Sequence, residues 1–288
     1  MSLQKMVCKP WMQVSPMFGM LIPGEPTTKI ELTITIDKDT AKLLNSGRDV
    51  LEDILILRLE NGRDYYLTIR ASYARSCFGM SMEELVIYSQ PIRTVPIDPI
   101  ERAKQLESST GPGAQPTTAL CIPKELWRVV DAIYAKGITA SNIFIEPGHP
   151  NEVASIRESL DTGSPFTPCT THSYADVLVS FLSSLSSPVI PSVFFPSVEI
   201  DSQNIQMSAR RLLEELPPIH YNVFVYIISF FREIIQHREE NQLTAAKLAR
   251  IACASMASAQ DLDHSNASLQ KRTGMQLIVL HLLETVSI

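Results

Sequence analysis

The sequence lacks the features that mark disulfide-stabilised and zinc-binding domains. Its 288 residues contain five cysteines, an odd number, and none of them forms a C-x-x-C pair. This excludes a disulfide framework and a structural zinc site, and we expect reduced cysteines. The six histidines include no pair at metal-ligand spacing beside a carboxylate. No metal and no cofactor is therefore predicted.

Long hydrophobic runs and an excess of positive charge are also absent. The most apolar stretch, residues 223–231, is too short to cross a bilayer, and the N-terminus has no apolar segment of signal-peptide length. The formal net charge is -6, so we expect no broad basic face and no nucleic-acid partner. Phosphate-binding G-x-x-x-x-G-K motifs and G-x-S-x-G nucleophile motifs are missing as well.

Residues 11–73 have the texture of β-strands. Residues 29–37 alternate strictly between apolar and polar side chains, which predicts a strand with one buried face. The apolar side chains of that face are Ile30, Leu32, Ile34 and Ile36. Residues 53–59 and 64–70 flank Asn61-Gly62, a dipeptide that predicts a hairpin with a primed turn. A helical turn at residues 40–45 is expected to end at Gly47.

The fold class expected from these patterns is α+β and multidomain. About four strands are predicted where an immunoglobulin-like sandwich has about seven, so residues 1–90 are interpreted as a partial β-sandwich whose other strands would lie before Met1. Residues 91–119 are rich in proline and glycine and form a predicted linker, with a short helix at 100–106 and a flexible part at 107–118. A turn is also predicted at residues 23–26.

Residues 120–288 are predicted to form an all-α domain. Leu126, Val130, Ile133 and Tyr134 follow helical spacing after Pro123. Further helices are predicted from Ser173 as N-cap to residue 185, over 206–215, from Asn222 as N-cap to 237, over 245–259 and over 268–284. The short D-T-G sequence at residues 161–163 matches an aspartic protease signature, but it has no second copy and is read as a chance match.

Three segments in order carry a family resemblance. They are I-P-K-E-L-W at residues 122–127, N-I-F-I-E-P-G at 142–148, and V-L-V-S-F-L-S-S-L-S-S-P-V-I-P at 177–191. Together with N-Q-L-T-A-A-K-L-A at 241–249, they resemble the RhoGAP fold. C-K-P-W at 8–11 and N-G-R-D-Y at 61–65 resemble the ASH β-sandwich. The pair is similar to the C-terminal ASH and RhoGAP-like domains of the type II inositol polyphosphate 5-phosphatase family, which includes the Lowe syndrome protein.

The resemblance implies that the catalytic positions of a GTPase-activating protein are lost. Active RhoGAP domains place an arginine finger in a G-I-F-R-x-x-G segment, and the matching position here is Ile145, followed by Glu146. Isoleucine cannot stabilise the charge that develops on the transferred phosphoryl group. Two basic positions correspond to Val179 and Ser183, and the asparagine of a G-P-N-L segment corresponds to Ser255. No enzyme activity is therefore predicted; the alternative is an active or residual Rho-family GTPase-activating protein.

The same resemblance implies a peptide-binding surface. In the family, the RhoGAP-like domain binds short Phe- and His-containing peptides of endocytic adaptors. The implied site is Trp127, with Val130, Asp131 and Tyr134 on the following turns. From the residues alone, a tryptophan near a helix start is as readily a core residue, and both interpretations stay open. Rab and Rho-family GTPases are further candidate partners. We expect the protein to be cytoplasmic and to be recruited to endosomes or the Golgi by its partners.

Overall fold

The computed structural model describes residues 9–20, 24, 29–60, 62–98, 100–101, 104, 121–257 and 266–285. The turn predicted at 23–26, the short helix predicted at 100–106 and the linker part predicted at 107–118 lie wholly or largely outside these residues. Four strands precede a group of helices, which confirms the α+β class. No helix in the described ranges is both long enough and apolar enough to cross a bilayer.

The β region consists of two small antiparallel sheets. Strand β1 (Met12–Ser15) pairs with β2 (Glu31–Ile34), and β3 (Glu52–Arg58) pairs with β4 (Asp64–Arg70). The register places Arg58 opposite Asp64, so five residues join β3 to β4. The hairpin prediction is confirmed, but a primed turn at Asn61-Gly62 is wrong, because Gly62 lacks the positive φ that such a turn requires.

The apolar face of residues 30–36 that was predicted to be buried is only partly covered. Ile30, Leu32, Ile34 and Ile36 keep between 36% and 40% of their surface accessible. The small core of the β region is built instead from Trp11, Met12, Leu44 and Leu51. This core covers only one end of the β1–β2 sheet. Within the described part of the chain, no second layer covers the rest of β2.

Helix α1 (Lys38–Ser46) connects the two sheets and has defined ends. The Asp37 side chain accepts a hydrogen bond of 2.8 Å from Thr40 N, and hydrogen bonds from the Thr40 side chain and then from this amide lower the pKa of the Asp37 carboxyl. The helix ends at Gly47, whose φ of 72° lies in the left-handed region. A Cβ at this glycine would also lie 3.1 Å from Ile97. The helical turn predicted before Gly47 is therefore confirmed and is longer than expected.

The second region is helical, as predicted. Its helices are α2 (Met82–Ile87), α3 (Lys124–Lys136), α4 (Pro150–Thr162), α5 (Thr171–Ser184), α6 (Ile205–Glu215), α7 (Pro218–Gln236), α8 (Arg238–Asn241), α9 (Ala245–Met256) and α10 (Asn266–Thr285). Helix α5 packs on α3, α4 and α9, while α10 packs on α6, α7 and α9. The sequence patterns above do not predict α2 or α4, which are short or weakly amphipathic.

Two predicted helix starts are wrong. Helix α7 begins at Pro218 and not after Asn222, because proline is favoured in the first turn, where its missing N–H has no helical partner. Helix α5 begins after Thr170, and Ser173 is buried inside it. The Glu152 carboxylate of α4 caps α5 in place of Ser173. It accepts hydrogen bonds from Thr170 N, Thr170 Oγ1 and Ser173 Oγ at 2.7 to 2.8 Å.

Residues 75–95 join the two regions tightly. Arg75 is buried and donates from Nε to the Asn45 carbonyl and from Nη1 to the Val95 carbonyl, at 3.1 and 3.0 Å. Asp161, at the end of α4, accepts from Cys77 N at 2.8 Å. The D-T-G sequence is thus a helix end with a structural aspartate.

Several side chains of this segment belong to the core of the helical region: Cys77, Phe78, Met80, Met82, Leu85, Ile92 and Val95. The sequence assigns residues 1–90 to the sandwich and 91–119 to the linker. These bounds, with the helical domain at 120–288, stay a prediction. The packing favours an earlier boundary, near residue 74.

Candidate functional site

The loop that matches the arginine-finger segment is anchored by its apolar residues. Asn142 and Phe144 have positive φ values of 53° and 67°, which are uncommon for residues other than glycine. Ile143 is fully buried, and the Phe144 ring packs edge-on against Phe231 at 5.4 Å. Ile145 then points outward and is 50% exposed. The position matched to the arginine finger therefore lies on the exposed surface of the loop.

The chemistry of this loop is neutral to acidic. Residues 137–149 contain no lysine and no arginine. Glu146 is exposed and accepts a hydrogen bond of 2.9 Å from Asn142 Nδ2. His172 donates from Nε2 to the Ser141 carbonyl at 3.0 Å and lies 3.9 Å from the Glu146 carboxylate. An anion approaching Ile145 would meet the Glu146 carboxylate and no arginine or lysine of the loop.

The loop rests on a buried asparagine that the sequence analysis quotes only as part of a motif. Asn241 has no exposed surface, and its Nδ2 donates to the carbonyls of Ile138 and Ile234 at 3.2 and 2.8 Å. Its Oδ1 accepts from Leu243 N at 2.9 Å. The side chain thus fixes the start of the loop to α7 and to the turn that precedes α9.

The resemblance also matched Val179, Ser183 and Ser255 to polar or basic positions of active RhoGAP domains, and none of these three side chains is charged. Val179 is half-buried in α5, and its carbonyl accepts a hydrogen bond of 2.8 Å from the exposed Ser183 hydroxyl. Ser255 is buried in α9, where its hydroxyl donates to the Ile251 and Ala252 carbonyls. These hydroxyls satisfy their own helices and offer no positive charge.

Arg157 does not replace the missing finger in this arrangement. Its guanidinium lies over the Phe78 ring, 3.9 Å from the ring centroid. It lines a shallow cavity with Ser76, Pro150, Val153, Ala154, Glu158 and Asp161, a set that includes none of residues 137–149. Arg157 therefore belongs to the junction with the β region.

The four residues of α3 that were predicted to bind peptides differ in solvent exposure. Trp127 and Tyr134 are 54% and 45% exposed, and Asp131 is exposed as well. Val130 has no accessible surface and belongs to the core with Leu126 and Ile133. Its assignment to the peptide-binding set is corrected for this reason, since a buried side chain cannot contact a ligand. Trp127 is not a core residue.

Helix α7 lies beside this face and supplies residues that the sequence analysis misses. The Tyr134 ring packs edge-on against Phe230 at 5.3 Å. Burial raises the pKa of Tyr226 to about 12, with smaller contributions from nearby Tyr134 and Asp131. Burial, together with Glu233, also raises the pKa of Tyr134. Tyr226 and Glu233 are seven residues apart on one helix face, a spacing that is visible in the sequence.

Among the described residues, no group of three or more histidine, cysteine, aspartate and glutamate side chains is placed to hold a metal ion. The arrangement instead offers two surfaces. One is the anchored loop with Ile145 and Glu146 at its tip. The other is the aromatic and acidic face of α3 and α7.

Comparison with known proteins identifies the fold class first. Residues 123–261 match the RhoGAP domain profile. The crystal structure of human Rho GTPase activating protein 15 superposes with a TM-score of 0.54, covering 74% of this chain and 96% of that chain at 14% identity. This likeness shows the fold alone. Mouse Rho GTPase-activating protein 22 is 29% identical over 132 residues, which are 42% of this chain and 19% of that protein.

The preceding region narrows the assignment. Residues 2–73 match the profile described as inositol polyphosphate 5-phosphatase OCRL-like, ASH domain. Mouse type II inositol 1,4,5-trisphosphate 5-phosphatase is 36% identical over 246 residues, 85% of this chain. The chain therefore carries an OCRL-like ASH domain followed by a RhoGAP domain, as the resemblance predicted. It spans about a quarter (25%) of that relative's length.

Proposed function

We propose that this chain is a non-catalytic interaction module that binds short, Phe- and His-containing helical peptides of endocytic adaptors. The observation that carries the proposal is the exposure of Trp127 beside Asp131 and Tyr134. A tryptophan at 54% exposure, one turn from a carboxylate, offers an aromatic anchor and a charge for a protonated histidine. An amphipathic helix meets such a surface along one of its faces.

The absence of catalysis is part of the same proposal. Ile145 occupies the finger position at the exposed tip of the loop, and Val179, Ser183 and Ser255 add no cation. The relatives named as Rho GTPase-activating proteins match the RhoGAP region of this chain. A shared fold does not imply a shared activity, because activity depends on the residues of the site. The ASH and RhoGAP domains together support a role in protein interaction. Rab and Rho-family GTPases are further partners to test, and recruitment from the cytoplasm to endosomes or the Golgi would follow from such partners.

Fluorescence polarisation with labelled adaptor-type peptides tests the binding. We expect binding well below about 100 µM, and we expect Trp127→Ala to weaken it more than tenfold, about 1.4 kcal/mol. Met207→Ala is the control, since Met207 is another exposed apolar residue but lies on α6. The proposal fails if the peptides do not bind, or if both substitutions have the same effect.

The alternative is an active GTPase-activating protein. A single-turnover GTP hydrolysis assay with Rho-family GTPases distinguishes it from the non-catalytic proposal. A catalytic domain with an arginine finger accelerates hydrolysis by about 10³–10⁵. The neutral loop supports no acceleration of that size. Hydrolysis at the rate of an active domain would establish the alternative and end the non-catalytic proposal.

A further inference from the structure

The loop between α4 and α5, residues 163–170, exposes two hydroxyl residues that precede proline. It forms neither a helix nor a strand, and both dipeptides, Ser164-Pro165 and Thr167-Pro168, are exposed. The residue before a proline favours an extended backbone, because a helical one collides with the proline ring. Proline-directed protein kinases modify serine and threonine in this setting. Ser164 and Thr167 are therefore the candidate modification sites of this loop.

The chain has four serine- or threonine-proline dipeptides, and the fold holds the other two. Ser15 lies in β1 opposite Glu31 of β2, so its main chain belongs to a sheet. Ser187 is half-buried and lies two residues before Val189, which has no accessible surface. The dipeptides in an exposed loop are thus those of residues 163–170.

Arg128 of α3 places a cation at Ser164. Its Nη1 donates to the Ser159 carbonyl at 2.9 Å, and its Nη2 donates to the Ser164 carbonyl. The guanidinium carbon also lies 4.6 Å from the centroid of the Phe166 ring, which fixes this side chain between α3 and the loop. No carboxylate in the described ranges comes within ion-pair distance of Arg128. Its charge is therefore available to an anion formed on Ser164.

Thr167 has a different environment. Its Oγ1 lies 3.0 Å from Ser155 Oγ on α4. Glu152, about one helical turn earlier on α4, accepts a hydrogen bond of 2.8 Å from Thr170 N, three residues after Thr167. A phosphate on Thr167 would form on the side of the loop that carries this carboxylate, and like charges repel. Ser164 and Thr167 thus share a motif but differ in the sign of the nearby charge.

We infer that Ser164 is a phosphorylation site for a proline-directed kinase and that Arg128 binds the resulting phosphate. The Ser164 Oγ attacks the γ-phosphorus of ATP, and a new O–P bond forms as the bond to the bridging oxygen of ADP breaks. The hydroxyl proton passes to the catalytic aspartate of the kinase.

The position of the phosphate makes Arg128 necessary. Ser164 follows the end of α4 at Thr162 by two residues, and the carbonyl end of a helix disfavours an anion. A guanidinium offsets this effect through charge-assisted hydrogen bonds to the phosphate oxygens. Because Arg128 already contacts the main chain of Ser164, a phosphate on that side chain forms beside it. The phosphate would therefore attach the loop to α3.

Phosphorylation of the folded chain tests the accessibility of Ser164. The chain is incubated with ATP and a mitogen-activated protein kinase, and mass spectrometry of peptides locates the phosphate. A synthetic peptide of residues 159–170 is the unfolded reference. We expect Ser164 to be modified in both, and Ser164→Ala to remove that phosphate. Absence of phosphate from Ser164 of the folded chain overturns the inference, and the peptide then shows whether the fold or the sequence is the cause.

Chains phosphorylated at Ser164 or at Thr167, made by genetic incorporation of the phosphorylated residue, test the contact with Arg128. Phosphorus NMR follows the second ionisation of each phosphate, which has a pKa of about 6. At Ser164 we expect this pKa to lie about 0.5 or more below that of the same chain unfolded in urea, because the guanidinium favours the dianion. Arg128→Gln should remove the difference at Ser164 and leave the Thr167 phosphate unchanged.

A second variant, Arg128→Lys, keeps the charge but not the fork of donors, and it should retain part of the difference. Circular dichroism verifies that each variant is folded. A Ser164 phosphate that titrates alike in the folded and the urea-unfolded chain overturns the inference. So does a Ser164 phosphate that Arg128→Gln affects no more than the Thr167 phosphate.

Discussion

The main-chain amide of Asn142 donates a hydrogen bond of 2.9 Å to the main-chain carbonyl of Asn241. The side chain of Asn241 in turn holds Ile138 and Ile234, so the finger loop is attached to α7 and α8 through one buried residue. This explains how residues 142–144 adopt two positive φ values without a glycine. The loop conformation is therefore held by main-chain and buried contacts and does not depend on the side chain of Ile145.

Asn241→Ala should therefore destabilise the helical region. The substitution removes the Asn241 side chain as a partner of the Ile138 carbonyl and the Leu243 amide, and leaves the Ile234 carbonyl with the His237 amide alone. Buried groups that lose their partners are costly, and we expect the free energy of unfolding to fall by about 2 to 4 kcal/mol. Urea denaturation measures it. Asn151→Ala, at an exposed position of α4, is the control and should change little.

Ile145→Arg tests whether an arginine at the matched finger position is sufficient for catalysis. Since Ile145 is half exposed, the variant should fold normally. We expect it to recover less than about a hundredth of an active domain's acceleration, which is about 10³–10⁵. In the proposed assignment, the other matched positions, Val179, Ser183 and Ser255, still carry no charge in this variant. Single-turnover GTP hydrolysis measures the acceleration, and Ile145→Gln is the uncharged control. Full acceleration by the Ile145→Arg variant would contradict the prediction.

The cap of α5 predicts a pH dependence of stability. Hydrogen bonds from Ser173 and then Thr170 lower the pKa of Glu152 from 4.5 to about 2. A carboxyl whose pKa is lower in the folded state stabilises the fold above its unfolded value. That contribution is lost as the pH falls from about 4.5 toward 2.

Glu152→Gln should thus be less stable than the unmodified chain at pH 7, with a difference that shrinks below pH 4.5. Thermal unfolding followed by circular dichroism across pH 3 to 7 measures the difference. Glu284→Gln, at an exposed position near the end of α10, provides the comparison. A Glu152→Gln deficit that is independent of pH would show that the carboxylate charge is not the cause.

The cysteines should differ in reactivity because the thiolate is the reactive form. Burial raises the pKa of Cys253 to about 12, and that of the fully buried Cys77 is raised as well. At pH 8 the thiolate fraction of Cys253 is then about 10⁻⁴. We expect iodoacetamide to modify half-buried Cys169 before either, as judged by mass spectrometry of peptides. Equal rates in the native protein would contradict this.

The sequence analysis recovered the order of the two domains and most helices, since these depend on local periodicity. It misplaced the starts of α5 and α7, because Glu152 caps the first from another helix and Pro218 begins the second. It also assigned Val130 to the binding surface, since spacing shows that residues share a helix but not which of them face the core. Tyr226 and Glu233 were missed because their role depends on α7 lying beside α3.

The sequence by itself determined which side chains the finger loop lacks, since no fold can turn Ile145 into an arginine. It also determined the two-domain pattern, because alternation and helical spacing are properties of neighbouring residues. Only the tertiary structure decided that Trp127 is exposed while Val130 is buried, and that Tyr134 of α3 packs on Phe230 of α7. Exposure depends on which helices pack together, and those contacts join residues far apart in the chain.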